Sequence, residues 1–308
     1  MEAHGYLRLH KIGTGTTATV YCAIDKEEYN RTMDRDVSKV AIKKICITKL
    51  ERKNPLFPRY IEQEIKLMED LHHPNILDLR KVFKTKENGK DYTCMVLEYC
   101  DTDLKKYLKH KHLSRISQEE AMEFMKQLGM LIEMKWVFGK WYLLLLGLVQ
   151  ALYYLKSKRI IHRDLKPANL LLRFENGKNI LKISDFGLSK KIAQGDLTST
   201  YCGSPMYMAP EALYNDGYGD KADLWSIGVI LYQMITGTTP YSGTQVEDLK
   251  YNLSRNTFQY PIGVKHDICG PLIEGLLQKK PEDRISWDEL FHYFGDEFYE
   301  SLVSSIPR

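Results

Sequence analysis

Two short polar segments in the second half of the chain constrain its fold more than any other feature. Residues 160–172 read Ile-Ile-His-Arg-Asp-Leu-Lys-Pro-Ala-Asn-Leu-Leu-Leu, and Asp185-Phe186-Gly187 follows shortly after. Together they place a carboxylate, a lysine and a carboxamide on one loop, with a second carboxylate close behind. Phosphoryl transfer from ATP needs such a set, because one acid accepts a hydroxyl proton, the cation stabilises the moving phosphate and the remaining oxygens hold a metal ion. The full spacing is far rarer than an isolated His-Arg-Asp.

These segments resemble those of eukaryotic protein serine/threonine kinase catalytic domains, and the likeness extends from about residue 6 to residue 294. The resemblance implies an α+β, protein kinase-like bilobal fold. Residues 1–99 would form a small antiparallel β lobe with one key helix, and residues 100–300 a larger, mainly helical lobe, followed by a short tail at 301–308. ATP would bind between the lobes. The implied activity is transfer of the γ-phosphate of Mg-ATP to serine and threonine hydroxyls of protein substrates, with ATP and Mg²⁺ as cofactors.

The resemblance gives each polar residue of the two segments a role. Asp164 is implied as the catalytic base, and Lys166 shortly after it is typical of serine/threonine rather than tyrosine kinases. Asn169 and Asp185 are implied as magnesium ligands. Arg163, beside the catalytic aspartate, indicates regulation by phosphorylation, because a phosphate on the activation loop could form charge-assisted hydrogen bonds with it.

A glycine turn near the N-terminus indicates where the phosphates of ATP would lie. Residues 7–44 are rich in Val, Ile and Tyr and predict strands, with Gly13-Thr14-Gly15 near their start. Glycines let backbone N–H groups approach phosphate oxygens closely. A dinucleotide fold would need a helix directly after the glycines, whereas residues 20–24 continue as a strand and favour a hairpin laid over ATP. Related kinases have a third glycine where this chain has Ala18, and we expect the added methyl group to be tolerated.

A lysine inside an apolar strand requires a partner. Lys43 ends the run Val-Ala-Ile-Lys, where an unpaired charge would be costly. Residues 59–71 have helical periodicity, and Glu64 on that helix is the predicted partner, whereas Glu62 and Glu69 are predicted to face solvent. The resemblance implies that Lys43 contacts the α- and β-phosphates of ATP, so Lys43 and Glu64 join the candidate catalytic residues.

Residues 98–100 resemble the hinge between kinase lobes, where backbone groups meet adenine, and Leu97 would guard the pocket behind it. Asp103 has two interpretations: a contact to the ribose, or an N-cap of the helix that begins at Leu104. The ATP-binding residues implied by the resemblance are Ile12, Gly13, Thr14, Gly15, Val20, Ala41, Lys43, Leu97, Glu98, Cys100, Asp103 and Leu171.

Residues 185–211 resemble a kinase activation segment, and Thr200 occupies the usual phosphorylation position. The phosphate would come from an upstream kinase or from a second copy of the chain. Residues 202–211, Cys-Gly-Ser-Pro-Met-Tyr-Met-Ala-Pro-Glu, resemble most the kinases that initiate autophagy. Structural roles are implied for Ser204 against the catalytic loop, for an ion pair of Glu211 with Arg284, and for Asp223 as a buried anchor of the backbone of His162 and Arg163.

Composition and charge exclude some other classes of protein. The 44 basic and 40 acidic residues give a net charge of +4, too balanced to argue for nucleic acid binding. Six cysteines without a Cys-x-x-Cys pair indicate reduced thiols rather than disulfides or zinc ligands. The first residues contain no signal-peptide hydrophobic run, so a cytoplasmic location is expected, with the nucleus as an alternative.

The segment at residues 118–156 is longer than the single helix that leads into the His-Arg-Asp loop in related kinases. As one helix, the 39 residues would span about 58 Å. The excess lies at residues 129–146, and Leu-Gly stands at both of its edges. Three interpretations remain open: an extruded helical hairpin or loop that docks a partner or its own surface, a membrane span over residues 136–155, which Lys140 and Gln150 disfavour, and a retained intron. A segment that disrupted the catalytic loop would leave a catalytically silent scaffold with a kinase fold.

Overall fold

The computed structural model describes residues 1–15, 18–111, 139–191, 204–214, 216–217, 219–243, 245–255, 258 and 269–293. The chain divides into two compact units, Met1–Asp101 and Thr102–Arg308. The first unit is built mainly on β-strands and the second mainly on helices, so the predicted α+β class is confirmed.

Five antiparallel strands form one sheet within the described residues of the first unit. They are β1 (Tyr6–Thr14), β2 (Ala18–Asp25), β3 (Lys39–Cys46), β4 (Leu79–Glu87) and β5 (Lys90–Glu98). Their order is β1-β2-β3-β5-β4, so β5 lies between two strands that are consecutive in sequence. Asn88 and Gly89 have φ angles of 48° and 72° and form the tight turn between β4 and β5, as is typical of an Asn-Gly pair.

The core of this sheet determines which way the predicted site residues point. Its fully buried cluster contains Ala23 from β2, Val40 and Ile42 from β3, and Cys94 and Val96 from β5. Successive side chains of a strand point to opposite faces, so Ala41 and Lys43 lie on the other face of β3. Burial raises the pKa of the Cys94 thiol to about 11, which keeps it protonated and unreactive.

The helices described in the first unit are α1 (Lys26–Thr32), α2 (Ile47–Lys53) and α3 (Phe57–Glu69). The prediction of strands throughout residues 7–44 is wrong at α1. The Asp25 carboxylate accepts the backbone N–H of Glu27 at 3.0 Å and that of Glu28 at 3.2 Å. This N-cap satisfies donors of the first turn, and two acidic residues there complement the helix dipole.

The second unit contains two small sheets within its described residues. Strands β6 (Thr102–Asp103), β8 (Leu170–Glu175) and β9 (Lys178–Ile183) form one, while β7 (Ile160–Ile161) pairs with β10 (Lys190–Lys191). Its described helices are α4 (Leu104–Lys111), α5 (Gly139–Ser157), α6 (Pro210–Tyr214), α7 (Lys221–Thr236), α8 (Val246–Arg255), α9 (Cys269–Leu276) and α10 (Trp287–His292).

Helix α5 leads into the first polar segment. Residues 112–138 lie outside the described residues, and so does the part of the predicted insertion from 129 to 138. Residues 139–146 and 147–157 belong to one helix, so no break marks the predicted end of the insertion. Among the described residues, no helix is both long and apolar enough to cross a membrane.

Helix α7 passes through the core of the second unit, and residues 222–232 are all buried. Gly228 lies where this helix meets α9. A Cβ atom at Gly228 would lie 2.8 Å from the Cβ of Leu276 and 2.8 Å from Cδ2 of Leu277. The close approach of the two helices therefore requires glycine at this position.

We expect Gly228→Ala to lower the free energy of unfolding by about 1–3 kcal/mol, because the added methyl group forces buried leucines apart. Urea unfolding would measure the loss. Gly275→Ala in α9 is the matched control, since its Cβ would meet Ile285 at 3.5 Å, an ordinary contact. Equal stability of the two variants would contradict this account of the packing.

Candidate active site

The polar segment at residues 160–172 is anchored to the first turn of α7. The buried Asp223 carboxylate accepts the backbone N–H of His162 at 2.8 Å and that of Arg163 at 3.1 Å. Burial raises the pKa of Asp223, and these hydrogen bonds oppose that shift because they favour the charged form. Arg163 has a φ of 70°, which is rare for a residue other than glycine. The anchor thus holds an uncommon backbone conformation directly before Asp164.

The His162 ring joins the two polar segments. Its Nδ1 accepts the backbone N–H of Asp164 at 3.3 Å, and its Nε2 lies 3.1 Å from the carbonyl oxygen of Ser184. Because a carbonyl oxygen can only accept, this geometry places a ring proton on Nε2. The ring is fully buried and lies edge to face with Phe186 at 5.1 Å between centroids. The loop that carries Asp164 is therefore tied to the segment that carries Asp185.

Three side chains hold the Asp164 carboxylate, which is buried. Its Oδ2 accepts from Lys166 Nζ at 2.6 Å and from Asn169 Nδ2 at 3.0 Å. Its Oδ1 accepts from Ser204 Oγ at 2.9 Å. Lys166 Nζ also lies 2.8 Å from Ser204 Oγ, which closes a ring of polar contacts. The site thus presents a fixed carboxylate beside a fixed ammonium group, as nucleophile orientation and phosphate stabilisation require.

Asn169 and Asp185 are brought to the same end of the β8–β9 pair. The Asn169 carbonyl oxygen accepts from both N–H and Oγ of Ser184 at 2.9 Å, and the next residue pair, Leu170 with Ile183, continues the sheet. Asn169 turns its amide nitrogen toward Asp164, which leaves its amide oxygen as an acceptor. Asp185 is exposed.

An amide oxygen and a carboxylate fit a hard divalent cation such as Mg²⁺, which is often bound by one or two protein ligands plus phosphate and water. Within the described residues, no group of three or more His, Cys, Asp or Glu side chains could hold a metal ion. Two protein oxygens leave the other coordination positions of such a cation to phosphate and water.

The first unit contains a second charged pair. Lys43 Nζ lies 2.6 Å from Glu64 Oε1, and the Glu64 side chain is 4% exposed. Helix α3 buries Glu64 on one face and exposes Glu62 and Glu69, as its periodicity predicts. A carboxylate this buried needs its cationic partner, so the pair fixes the position of the lysine ammonium group.

The sequence matches the protein kinase domain over residues 6–294. The chain belongs to the protein kinase family. It is 38% identical over 255 residues to serine/threonine-protein kinase atg1 of Dictyostelium discoideum, covering 82% of this chain and 34% of that protein. Serine/threonine-protein kinase ATG1b of Arabidopsis thaliana is 37% identical over 259 residues, covering 82% of this chain and 32% of that protein. Serine/threonine-protein kinase ULK1 of Homo sapiens is 33% identical over 299 residues, covering 94% and 25% respectively.

These relatives confirm the predicted likeness to autophagy-initiating kinases. The kinase chain spans about a third or less of the length of each of the three. The comparison therefore concerns only part of each of those proteins.

The glycine turn of the kinase lies between β1 and β2. Gly15 donates its backbone N–H to the Ala18 carbonyl oxygen at 2.9 Å, while Thr14 and Ile12 are exposed. Among the described residues, a Cβ at Gly13 would meet nothing within 4 Å, and one at Gly15 would lie 3.8 Å from its nearest neighbour. Packing against the described part of the chain therefore does not require either glycine, whereas close approach of a ligand would.

The other predicted nucleotide-binding positions of the first unit follow from strand register. Val20 pairs with Lys43 across β2 and β3, and Ala41 pairs with Leu97 across β3 and β5. Leu97 and Glu98 are buried at the end of β5, where the Glu98 backbone N–H donates to the Asp78 carbonyl oxygen at 3.0 Å. Cys100 is partly buried.

Asp103 is engaged by its own helix. Its Oδ1 accepts the backbone N–H of Lys106 at 2.9 Å, and its Oδ2 lies 3.0 Å from Lys106 Nζ. The N-cap interpretation is therefore the one that the structure supports, and the ribose contact stays a prediction.

In the neighbouring strand β8, Leu171 is partly exposed between the buried Leu170 and Leu172.

Glu211 and Arg284 form the predicted ion pair. Arg284 Nη1 lies 2.8 Å from Oε1 and Nη2 lies 2.9 Å from Oε2 of Glu211. Arg284 is 1% exposed, donates to the carbonyl oxygens of Lys221 and Gln278, and lies 5.3 Å from the centre of the Trp225 ring. The pair fixes the end of the predicted activation segment to the core.

Of the predicted phosphorylation switch, the structure describes Arg163 but not Thr200. Arg163 Nε donates to the carbonyl oxygen of Leu188, just after the Asp-Phe-Gly segment. Thr200 lies outside the described residues, so its relation to Arg163 stays a prediction.

Sequence reasoning missed three contacts to backbone carbonyl oxygens. His162 and Ser184 link the two polar segments, and the Lys221 ammonium group donates to the carbonyl oxygens of Pro281 and Arg284 at 2.8 Å. Backbone carbonyl acceptors have no sequence signal of their own. The only signal available was that His162 begins the His-Arg-Asp motif.

Proposed function

We propose that this kinase transfers the γ-phosphate of Mg-ATP to serine and threonine hydroxyls of protein substrates. The observation that supports this most strongly is the Asp164 carboxylate held at once by Lys166, Asn169 and Ser204. Such an arrangement keeps an acceptor oxygen in place for a substrate hydroxyl without reorganisation during the reaction.

Each residue has a separate task in this mechanism. Asp164 orients the substrate hydroxyl and accepts its proton. Lys166 stabilises negative charge on the phosphoryl group as it moves. The ammonium group of Lys43, positioned by Glu64, contacts the α- and β-phosphates.

Asn169 and Asp185 are the residues that would hold Mg²⁺. The ion, when bound, neutralises charge on the phosphate oxygens. The contacts of Lys166, Asn169 and Ser204 with Asp164 favour this proposal over the alternative of a silent scaffold.

The proposed substrate class is tested by supplying matched peptides that differ only in a single serine, threonine or tyrosine acceptor. Transfer from γ-labelled ATP to the serine and threonine peptides, with little to the tyrosine peptide, is the expected result. Preferential labelling of the tyrosine peptide would overturn the assignment that rests on Lys166 and on the named relatives.

We also infer that phosphorylation of Thr200 raises activity through Arg163. A phosphate would add negative charge and acceptor oxygens for a guanidinium group. Mass spectrometry of the chain after incubation with Mg-ATP would locate the phosphate, and Thr198→Ala serves as the control for Thr200→Ala. Full activity of the Thr200→Ala variant would contradict this inference.

The glycine loop gives a further prediction. Since packing among the described residues tolerates a Cβ at both positions, we expect Gly13→Ala/Gly15→Ala to leave the melting temperature within about 2 °C of the wild type, a change of about 1 kcal/mol or less in stability. The KM for ATP should rise about tenfold, because the methyl groups keep backbone N–H groups away from phosphate oxygens. Steady-state kinetics and thermal unfolding would measure the two effects, and an unchanged KM would argue against phosphate binding at this loop.

A further inference from the structure

Helix α4 carries more positive charge than its packing requires. Its residues 104–111 include no acidic side chain, and Lys105, Lys106 and Lys109 are exposed. Leu104 and Leu108 are buried and attach the helix to the second unit. The lysines therefore contribute charge on the solvent side rather than contacts to the core.

This arrangement of charge is unfavourable for the helix itself. Lys105 and Lys106 lie in the first turn, where the positive end of the helix dipole disfavours cations. Lys105 and Lys109 are four positions apart, so their like charges repel along one face. Asp103 offsets only part of this, because its carboxylate is already paired with Lys106 at 3.0 Å. Within the described residues, neither Lys105 nor Lys109 forms an ion pair.

The same helix borders the candidate active site. It packs against the turn Pro167–Asn169 and against β6 and β8, all within the second unit. That turn joins Lys166 to Asn169, both of which contact Asp164.

We propose that Lys105 and Lys109 select protein substrates with acidic residues near the phosphorylated hydroxyl. A substrate that presents its hydroxyl to Asp164 has neighbouring residues that pass this surface, and aspartate or glutamate side chains would relieve the repulsion between the lysines. The acid at the start of the helix, Asp103, is neutralised by Lys106 and cannot serve a basic substrate equally well. This proposal rests on the proposed kinase activity and adds the substrate class to it.

The test compares three serine peptides of equal length whose flanking residues are acidic, neutral or basic. The ratio of kcat/KM for the acidic peptide to that for the neutral peptide is measured for the full chain and for Lys105→Ala/Lys109→Ala. Lys178→Ala/Lys280→Ala is the matched control, because it removes the same charge from two exposed lysines of the same unit. We expect the ratio to fall about five- to tenfold in the α4 variant only, as for two solvent-exposed ion pairs, with the change mainly in KM and abolished by high salt.

Direct binding of a fluorescent acidic peptide, followed by anisotropy, separates this proposal from the proposed function. Weaker binding of the acidic peptide to the α4 variant supports the role of Lys105 and Lys109 even if no phosphate is transferred. Normal peptide binding without phosphate transfer counts against the kinase activity only. Equal use of the three peptides, or a preference that survives in the α4 variant, would overturn the proposal. A third outcome would also overturn the proposal. If the α4 variant lost binding to anionic phosphatidylserine vesicles and its peptide preference did not change, the lysines would belong to a lipid-binding surface.

Discussion

Asp164→Asn is expected to reduce kcat for phosphate transfer by about 10³-fold, within the range that a positioned acid or base contributes. The carboxylate accepts from Lys166 and Asn169 at one oxygen and from Ser204 at the other. The asparagine amide has one oxygen and one N–H₂ group, so the substitution removes the negative charge. It also turns the N–H₂ group toward the donors on one side, where a carboxylate oxygen had accepted their hydrogen bonds. Transfer from γ-labelled ATP to a serine peptide would measure the effect.

The control for this prediction is Asp216→Asn, which makes the same chemical change at an exposed position of the second unit. Its kcat should stay close to that of the wild type. Thermal unfolding of both variants would show whether the fold is retained. Activity of the Asp164→Asn variant within tenfold of the wild type would contradict the role given to Asp164.

Arg284→Met is expected to lower the free energy of unfolding by about 3–5 kcal/mol, the range for breaking a buried ion pair. The substitution leaves the Glu211 carboxylate, 8% exposed, without the two donors at 2.8 and 2.9 Å. It also removes donors from the carbonyl oxygens of Lys221 and Gln278. Chemical denaturation with a two-state check would measure the loss.

Glu211→Leu/Arg284→Met sharpens this prediction. Replacing both charges by apolar side chains leaves no unpaired buried carboxylate, so the double variant should be more stable than Arg284→Met alone. The carbonyl oxygens freed at residues 221 and 278 remain without their donor, so recovery should be incomplete. A double variant that loses the sum of the two single losses would show that the pair is not coupled.

The residues of the candidate active site could be named from the sequence because the two polar segments have a specific spacing that resembles protein kinases. Lys43 and Glu64 meet as expected since a strand and a helix with clear periodicity present them. Asp223 reaches the loop because a buried acid at a helix start needs backbone donors. What the sequence could not supply was the set of carbonyl acceptors, such as that of Ser184, since these depend on backbone geometry alone.

One wrong prediction and one open assignment have local physical causes. Helix α1 interrupts the predicted strands because Asp25 caps it. A single capping residue is a shorter sequence signal than the apolar pattern around it. Asp103 could not be assigned from the sequence, because a cap and a ribose contact use the same residue type at the same position. Its contacts with Lys106 show the cap.

The measurement that tests the central claim most directly is transfer of the γ-phosphate from labelled Mg-ATP to a serine peptide by the purified chain. Asp164→Asn is assayed in parallel, and phosphoserine is identified by mass spectrometry. The account predicts labelled phosphoserine with the wild type and almost none with the variant. A folded wild-type chain that binds ATP but labels no serine or threonine would contradict it.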